Sequence, residues 1–555
     1  MFISESKVLA PAIWAGALAY LLLGVATVCF GIDLYMVVHT ASAVPVVDHW
    51  MFLMPLARNG SYSFRDLWAQ HNEHRLVIPK LFYLADFYWF RGRNVSLFAS
   101  IMVVQALHAL LLMRIADVSR ALQPALFALL FAFLFSPVQL HNFVWAFQIC
   151  FVLGAFFASA CAWSFGVFYT RYQSKMPLGS VVRAFALTVA LALCATLSLA
   201  NGLVLWPILA VILIALRVDW RYAVALLAIT GLVFTAYFWG WFTPDGHSDP
   251  LESLQHPVEM VHYVLCYLGG SWAIFGIGPA FALGGVGAAI GVIALVKMWT
   301  ARQSLRTLDI FIAVTILGSI GTAFETALGR LDFGLGQAAS SRYQTVALVY
   351  WAALAMWVVS TFRQSPRRMS LKCWAVACFS LVVLVPFARI ANIVGVYEDW
   401  PAAFDDAAAT MMSGVDDDDA LTVVWPMDGS IQPVIDLLRS RHKSVFATPL
   451  ARKLGSRFSD LFHVDNHKLC RGKIRIARLL EEPELKALEL TGLIQAAPAI
   501  RNLVLVNDKG DISGFGFNRR GAWQGYSRLT GNNKSVSVYG LLPDGSGACS
   551  IATFE

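Results

Sequence analysis

Two stretches of this chain gather ionisable side chains beside aromatic ones, and both read as places where a charged substrate is held and a proton moved. The first is Val47-Asp48-His49-Trp50, followed by Ala69-Gln70-His71-Asn72-Glu73-His74-Arg75. A carboxylate beside Trp50 and Met51 is placed for partial burial, which raises its basicity as a general base requires. The competing reading of the same residues is an interfacial loop with Trp anchors and snorkelling arginines. The second stretch runs from Phe324-Glu325-Thr326 through Gly329-Arg330-Leu331-Asp332 to Ser340-Ser341-Arg342-Tyr343-Gln344. A guanidinium with a tyrosine beside it at a helix mouth can grip a phosphate through two parallel hydrogen bonds. An arginine snorkelling from a helix end is the alternative. His71, Glu73 and His74 could ligate a metal, but they do not form the HExxH spacing of a zinc protease. The 242–279 segment carries Asp245, His247, Asp249, Glu252, His256 and His262 without a cation, as either a metal or acceptor site or a plain acidic loop. No metal ligands are assigned, and no cofactor is required; a divalent metal stays open.

The elements that position these residues are membrane spans. Of 555 residues, 58% are hydrophobic and 14% charged, and the mean hydropathy is +0.62. Soluble domains carry roughly 25% charge. Apolar stretches suitable for spanning occur near 12–31, 96–113, 122–138, 145–166, 182–199, 203–217, 222–241, 280–297, 308–323, 346–362 and 372–388. About eleven transmembrane helices are therefore expected over residues 1–390, the first of them a span and not a cleaved leader. Lys and Arg concentrate in alternate short loops: Arg114 and Arg120, Arg171 and Lys175, Arg217 and Arg221, Lys297 to Arg306, and Arg363 to Arg368. The positive-inside rule makes these cytoplasmic, so the loops with Asp48, 242–279 and 324–344 face outward. His256–Phe275 and the polar-studded Leu76–Phe90 are then interfacial helices and not spans.

After Arg389 the character changes. Residues 391–555 are expected to form a soluble extracytoplasmic domain, a small α/β segment followed by a β-sandwich-like module. The four aspartates Asp416–Asp419 read as a solvated linker. A strand is expected at Leu421–Trp425 and a helix at Gln432–Arg441. Strands follow at Lys486–Ile494, Asn502–Val506, Asp511–Phe517, Val536–Leu542 and Cys549–Phe554, separated by turn signals such as Asp544-Gly545. Of nine cysteines, without a CxxC pair, Cys470 and Cys549 alone fall in this domain. In an oxidising compartment they are expected to pair, while the other seven behave as small apolar groups.

One helix, a long outward loop with an early Asp, interfacial helices, short-looped spans and a late Arg-Tyr together resemble the GT-C superfamily of integral membrane glycosyltransferases. The string from Asp48 through Glu73-His74-Arg75 to Pro79 is similar to bacterial cell-surface members that decorate polysaccharide or lipopolysaccharide. The resemblance covers roughly residues 10–390. It implies sugar transfer from a polyprenyl-phosphate donor to a glycan or glycolipid acceptor at the inner membrane, with no nucleic acid involved. It places Asp48 as the catalytic carboxylate and Arg342, followed by Tyr343, on the lipid phosphate. His49 stands where many members carry a second acid, so Glu73 is the candidate second acid. His49, His71, His74, Arg75 and Arg330 complete the expected substrate-contacting set. A transporter or flippase of lipid-linked sugars, and a polysaccharide polymerase or ligase, are the competing functions.

Overall fold

The computed structural model describes residues 6–118, 120–244, 246, 248–361, 369–427, 429–464, 470–481, 486–494, 500–529, 535–543 and 547–555. Asp245, His247, the Arg363, Arg367 and Arg368 cluster and the Asp544-Gly545 turn lie outside the described residues. Two compact units emerge. The first comprises Met1–Val38, Phe64–Phe82 and Leu97–Val396, and the second His39–Ser63, Tyr83–Ser96 and Tyr397–Glu555.

The first unit is a bundle of apolar helices, as a multi-pass membrane protein requires. Among the described residues, nine helices are long and apolar enough to span: Trp14–Thr40, Val95–Ile115, Ala146–Gln173, Leu178–Thr196, Trp220–Phe238, Ile277–Thr300, Thr307–Phe333, Leu335–Thr361 and Ser370–Phe387. The other two expected segments form the shorter apolar helices Gln123–Gln139 and Ala200–Ala215. Both are broken at one end by 3₁₀ turns, Pro137–Gln139 and Ala200–Val204, where Pro137 and Gly202 punctuate the run. The ambiguous 256–275 segment forms a 12-residue helix, Pro257–Leu268, and a 3₁₀ turn, Gly270–Phe275. It lies against Ile277–Thr300 so closely that a Cβ on Gly284 would stand 1.8 Å from the Leu265 carbonyl oxygen. Only glycine admits that approach.

The second unit is built on one eight-stranded sheet. Its strands are β1 His463–Val464, β2 Gly472–Glu481, β3 Lys486–Ile494, β4 Asn502–Asn507, β5 Ile512–Arg519, β6 Ala522–Arg528, β7 Val536–Leu541 and β8 Gly547–Phe554. They lie in the order β1-β8-β7-β4-β5-β6-β3-β2, antiparallel except for β1 with β8. This corrects the expected sandwich: a single sheet curls into a half-barrel, and β2 returns toward β8 until a Cβ on Gly472 would meet the Ile551 side chain at 2.3 Å. Alternation along a strand reports a buried face but not whether a second sheet or the same sheet covers it. Leu488, Leu490, Leu503, Leu505, Trp523, Val536, Val538 and Ile551 fill the core. Cys470 and Cys549 are joined in a disulfide at that core, with Cα atoms 5.6 Å apart.

Two local expectations are also corrected. Leu421–Trp425 is not a strand, because Asp417 accepts from Asp419 N–H at 3.2 Å and starts the helix Asp418–Thr422. The aspartate run is not a solvated linker either. Asp417 is 4% exposed, and Arg478 bonds Asp417 at 2.8 Å and Asp419 at 2.7 Å.

Candidate functional site

In the first unit, His71 and His74 exchange backbone hydrogen bonds of 2.8 and 2.9 Å across a tight turn. Asn72 sits at φ 47°, a left-handed position that asparagine tolerates. The turn is fixed to the end of the helix Trp220–Phe238. Tyr237 Oη donates to Glu73 O at 3.4 Å and accepts from Arg75 N–H at 3.1 Å, and Trp241 Nε1 donates to Glu73 O at 3.3 Å.

Arg75, expected at the substrate, has another task. It is 3% exposed, and its Nε, Nη1 and Nη2 donate to the carbonyls of Tyr237, Trp68 and Trp239 at 2.6, 2.7 and 2.7 Å. Its fork closes helix ends and is not offered to a phosphate. Lys80 acts alike, donating to Asp66, Leu67 and Ala69 carbonyls at 2.9, 3.3 and 2.7 Å. Burial is the main cause that pulls its ammonium down to about 8.

The turn brings Glu73 to Arg330, in the last turn of the helix Thr307–Arg330; Arg330 Nη2 donates to Glu73 Oε1 at 2.7 Å. His74 Nδ1 accepts from Ala200 N–H at 3.3 Å, so the neutral ring carries its proton on Nε2, 3.7 Å from Glu73 Oε1. Glu325 lies on the Arg330 helix, near enough to Glu73 for the carboxylates to repel, and its Oε2 is buried without a hydrogen bond within the protein.

Arg342 and Tyr343 belong to the 3₁₀ turn Ser341–Tyr343, which opens the helix Gln344–Thr361. Ser341 Oγ donates to Val138 O at 2.8 Å, and Asn142 Nδ2 donates to Arg342 O at 3.0 Å and to Thr345 Oγ1 at 2.9 Å. The Arg342 guanidinium lies 5.2 Å from the Tyr343 ring centre, and that ring stacks on Tyr267 at 5.4 Å. His141 is pushed down to about 4, first by burial and then by the Arg342 charge, so it stays neutral beside it.

Tyr263, on the helix Pro257–Leu268, is fully buried and feels the charges of both Arg330 and Arg342. Its hydroxyl, Arg330 Nε and Arg342 Nε make no hydrogen bond within the protein although all are buried. Among the described residues, Arg342 has no carboxylate at ion-pair distance. Such donors leave a local positive excess suited to an oxyanion.

Of the residues expected from sequence, Glu73, His74, Arg330, Arg342 and Tyr343 fall in this neighbourhood. His71 packs its ring on Phe147 at 5.2 Å. No three His, Cys, Asp or Glu side chains among the described residues stand close enough to hold a metal, so His71, Glu73 and His74 do not assemble as ligands. Tyr263 and Asn142 are not among the residues expected from sequence. Their signals were the buried face of Met260, Tyr263, Cys266 and Tyr267 and the polar pair His141-Asn142 in an uncharged loop.

Asp48 and His49 belong to the second unit. Asp48 begins the helix Asp48–Asn59. Val47 before it adopts φ 47°, a strained conformation for a β-branched residue, held by Val47 N–H to Val424 O at 2.7 Å. His49, expected to touch substrate, packs on Tyr83 at 5.3 Å and Phe52 at 6.0 Å, and burial pushes it down to about 4. It is a neutral core ring.

No family model matches the chain, and no match was found among curated proteins or solved structures.

Proposed function

We propose that this protein is an integral membrane glycosyltransferase that moves a sugar from a polyprenyl-phosphate donor to a cell-surface glycan or glycolipid. The observation that carries the reading is the set of buried, unsatisfied donors on Arg330, Arg342 and Tyr263 among apolar helices. A phosphate attached to a lipid tail is the ligand such a site suits. In the reaction, the acceptor hydroxyl oxygen bonds to the anomeric carbon as the carbon–oxygen bond to phosphate breaks. The polyprenyl phosphate leaves with the electron pair, steadied by Arg342 and Arg330, and the hydroxyl proton passes to a carboxylate base, the role that the GT-C resemblance gives to Asp48. Strain at Val47 supports a special role for Asp48. In this reading about eleven segments enter the bilayer of the inner membrane, and the second unit faces the extracytoplasmic side.

The test is sugar transfer from a polyprenyl-phosphate donor by the purified protein in detergent. Asp48→Asn should lower transfer about 100-fold or more with the fold retained. Arg342→Ala should mainly raise the donor KM, and Arg342→Lys should restore it in part, since lysine lacks the two-pronged fork. Near-normal turnover in Asp48→Asn overturns the assignment. Glu325, an acid within a span, favours a second reading, a flippase of lipid-linked sugars. Movement of a labelled lipid-linked sugar across proteoliposomes without transfer would select it.

A further inference from the structure

The second unit holds a cluster of cations that the proposed transfer does not use. Residues 88–93 read Tyr88-Trp89-Phe90-Arg91-Gly92-Arg93. Left-handed backbone at Arg91, Gly92 and Asn94, with φ of 63°, 62° and 64°, folds the stretch into a tight loop. Asp86 fixes that loop by accepting from Asn94 N–H at 3.0 Å and Ser96 Oγ at 2.5 Å. Far along the chain, Ser444 N–H donates to Arg91 O at 2.8 Å and brings Arg441-His442-Lys443 alongside. Lys443 Nζ stands 5.2 Å from the Phe87 ring centre and donates to Tyr88 O at 3.5 Å. Repulsion from Arg441 and Arg91 adds to desolvation in lowering the Lys443 pKa, which places the three charges near one another; Asp86 is the carboxylate that opposes them.

None of Arg91, Arg93, Arg441 and Lys443 has a carboxylate at ion-pair distance among the described residues. Trp89 is 78% exposed and Phe90 52%. The apolar span Val95–Ile115 begins two positions after Arg93, so the loop stands where the chain enters the bilayer. Aromatic rings next to uncompensated cations at that depth match the level of lipid headgroups.

We infer that Trp89, Phe90, Arg91, Arg93, Arg441 and Lys443 form a binding site for anionic phospholipid. The cations hold the headgroup phosphodiester, and the rings enter the boundary between headgroups and acyl chains. Asp86 opposes four positive charges with a single negative one and pairs with none of them at ion-pair distance, so the excess is positive and a net-negative lipid is favoured over a zwitterionic one.

The experiment titrates the full-length protein with phosphatidylglycerol or phosphatidylcholine and reads bound lipid by native mass spectrometry. Wild type should prefer phosphatidylglycerol. Each cation removed near the surface should weaken that lipid by about fivefold. Replacing all four cations by glutamine should therefore remove at least about tenfold of the preference, even with incomplete additivity. The exposed pair Arg91→Gln and Arg93→Gln provides the same reading with less risk to folding and should lose at least about fivefold. Arg91→Lys with Arg93→Lys should keep the preference, because charge is what is read. An unchanged preference in the folded Arg91→Gln, Arg93→Gln protein, or no preference in wild type, overturns the site. Inorganic phosphate that competes as well as the lipid overturns it too, in favour of a free-anion site.

Discussion

Glu73 and Glu325 lie near enough to repel, with opposite consequences for stability. Glu73 neutralises Arg330 across 2.7 Å, with side chains 26% and 15% exposed. Glu73→Gln keeps the shape and leaves Arg330 without its carboxylate. Breaking a fully buried pair costs about 3–5 kcal/mol, and partial exposure brings the expected loss to about 1–2 kcal/mol. Glu325→Gln removes a carboxylate that repels Glu73 and should be neutral or stabilising. Thermal unfolding of both variants in detergent checks the order, and an equal loss in Glu325→Gln would refute the pairing. Asp406 offers a pH test in the second unit. Burial, then repulsion from Asp405 and Glu489, raises its carboxyl from 3.8 to about 7. Between those values the folded state binds more protons than the unfolded one, so this contribution to stability is complete below about pH 4 and is lost as pH rises through about 7. Asp406→Asn should flatten the unfolding midpoint against pH across that window. At this scale the sequence carried the identities of Glu73, Arg330 and Arg342. It hid the task of Arg75, because three backbone carbonyls from separate segments decide it.

Elements were legible wherever one period dominated. β3 has the bounds expected from sequence, Lys486–Ile494, since buried Leu488, Leu490, Gly492 and Ile494 alternate with half-buried Glu489, Thr491 and Leu493. β2, Gly472–Glu481, escaped notice because Lys473, Arg475 and Arg478 interrupt the apolar pattern of an edge strand. β6, Ala522–Arg528, escaped because Gly525 breaks it. The apolar run from Leu421 to Trp425 is too short for periodicity to separate strand from helix, and the Asp417 cap decides for helix. The disulfide joins the residue run before β2 to β8, across a sequence separation of 79. Closing a loop of that length removes about 4 kcal/mol of unfolded-state freedom in the chain-entropy account. Cys549→Ser should therefore lower the stability of the second unit by about 2–5 kcal/mol. Denaturant unfolding with and without reductant measures it. Wild type that is indifferent to reductant while unfolding would refute the contribution.

At the scale of the whole molecule, hydropathy alone carried the membrane character of the first unit. It did not carry the membership of the second, because 39–63 and 83–96 lie between membrane segments in sequence yet fold with Tyr397–Glu555. Val47 N–H to Val424 O, Ser444 Oγ to Ala43 O at 2.5 Å, Arg441 Nη2 to Gly60 O at 2.7 Å and Ser444 N–H to Arg91 O at 2.8 Å are among the bonds that join them, and no local pattern announces such distant partners. The charge bias of the short loops predicts that residues beyond 400 lie outside the cytoplasm. Single-cysteine variants probed with a membrane-impermeant thiol reagent test this on intact cells. Labelling after residue 400 that requires permeabilisation would reverse the orientation and remove the oxidising surroundings invoked for the disulfide.

That interleaving also dictates an order of synthesis. When a ribosome has made the first hundred residues, the two early segments of the second unit exist but their partners lie some three hundred residues downstream. They must wait, exposed at the membrane, while the remaining helices insert. A nonsense change between Val396 and Val424 thus leaves more than a missing domain. It leaves Val47 and its neighbours without Val424, Arg441 and Ser444, which hold them, and presents quality-control proteases with two unfinished segments on an otherwise inserted bundle.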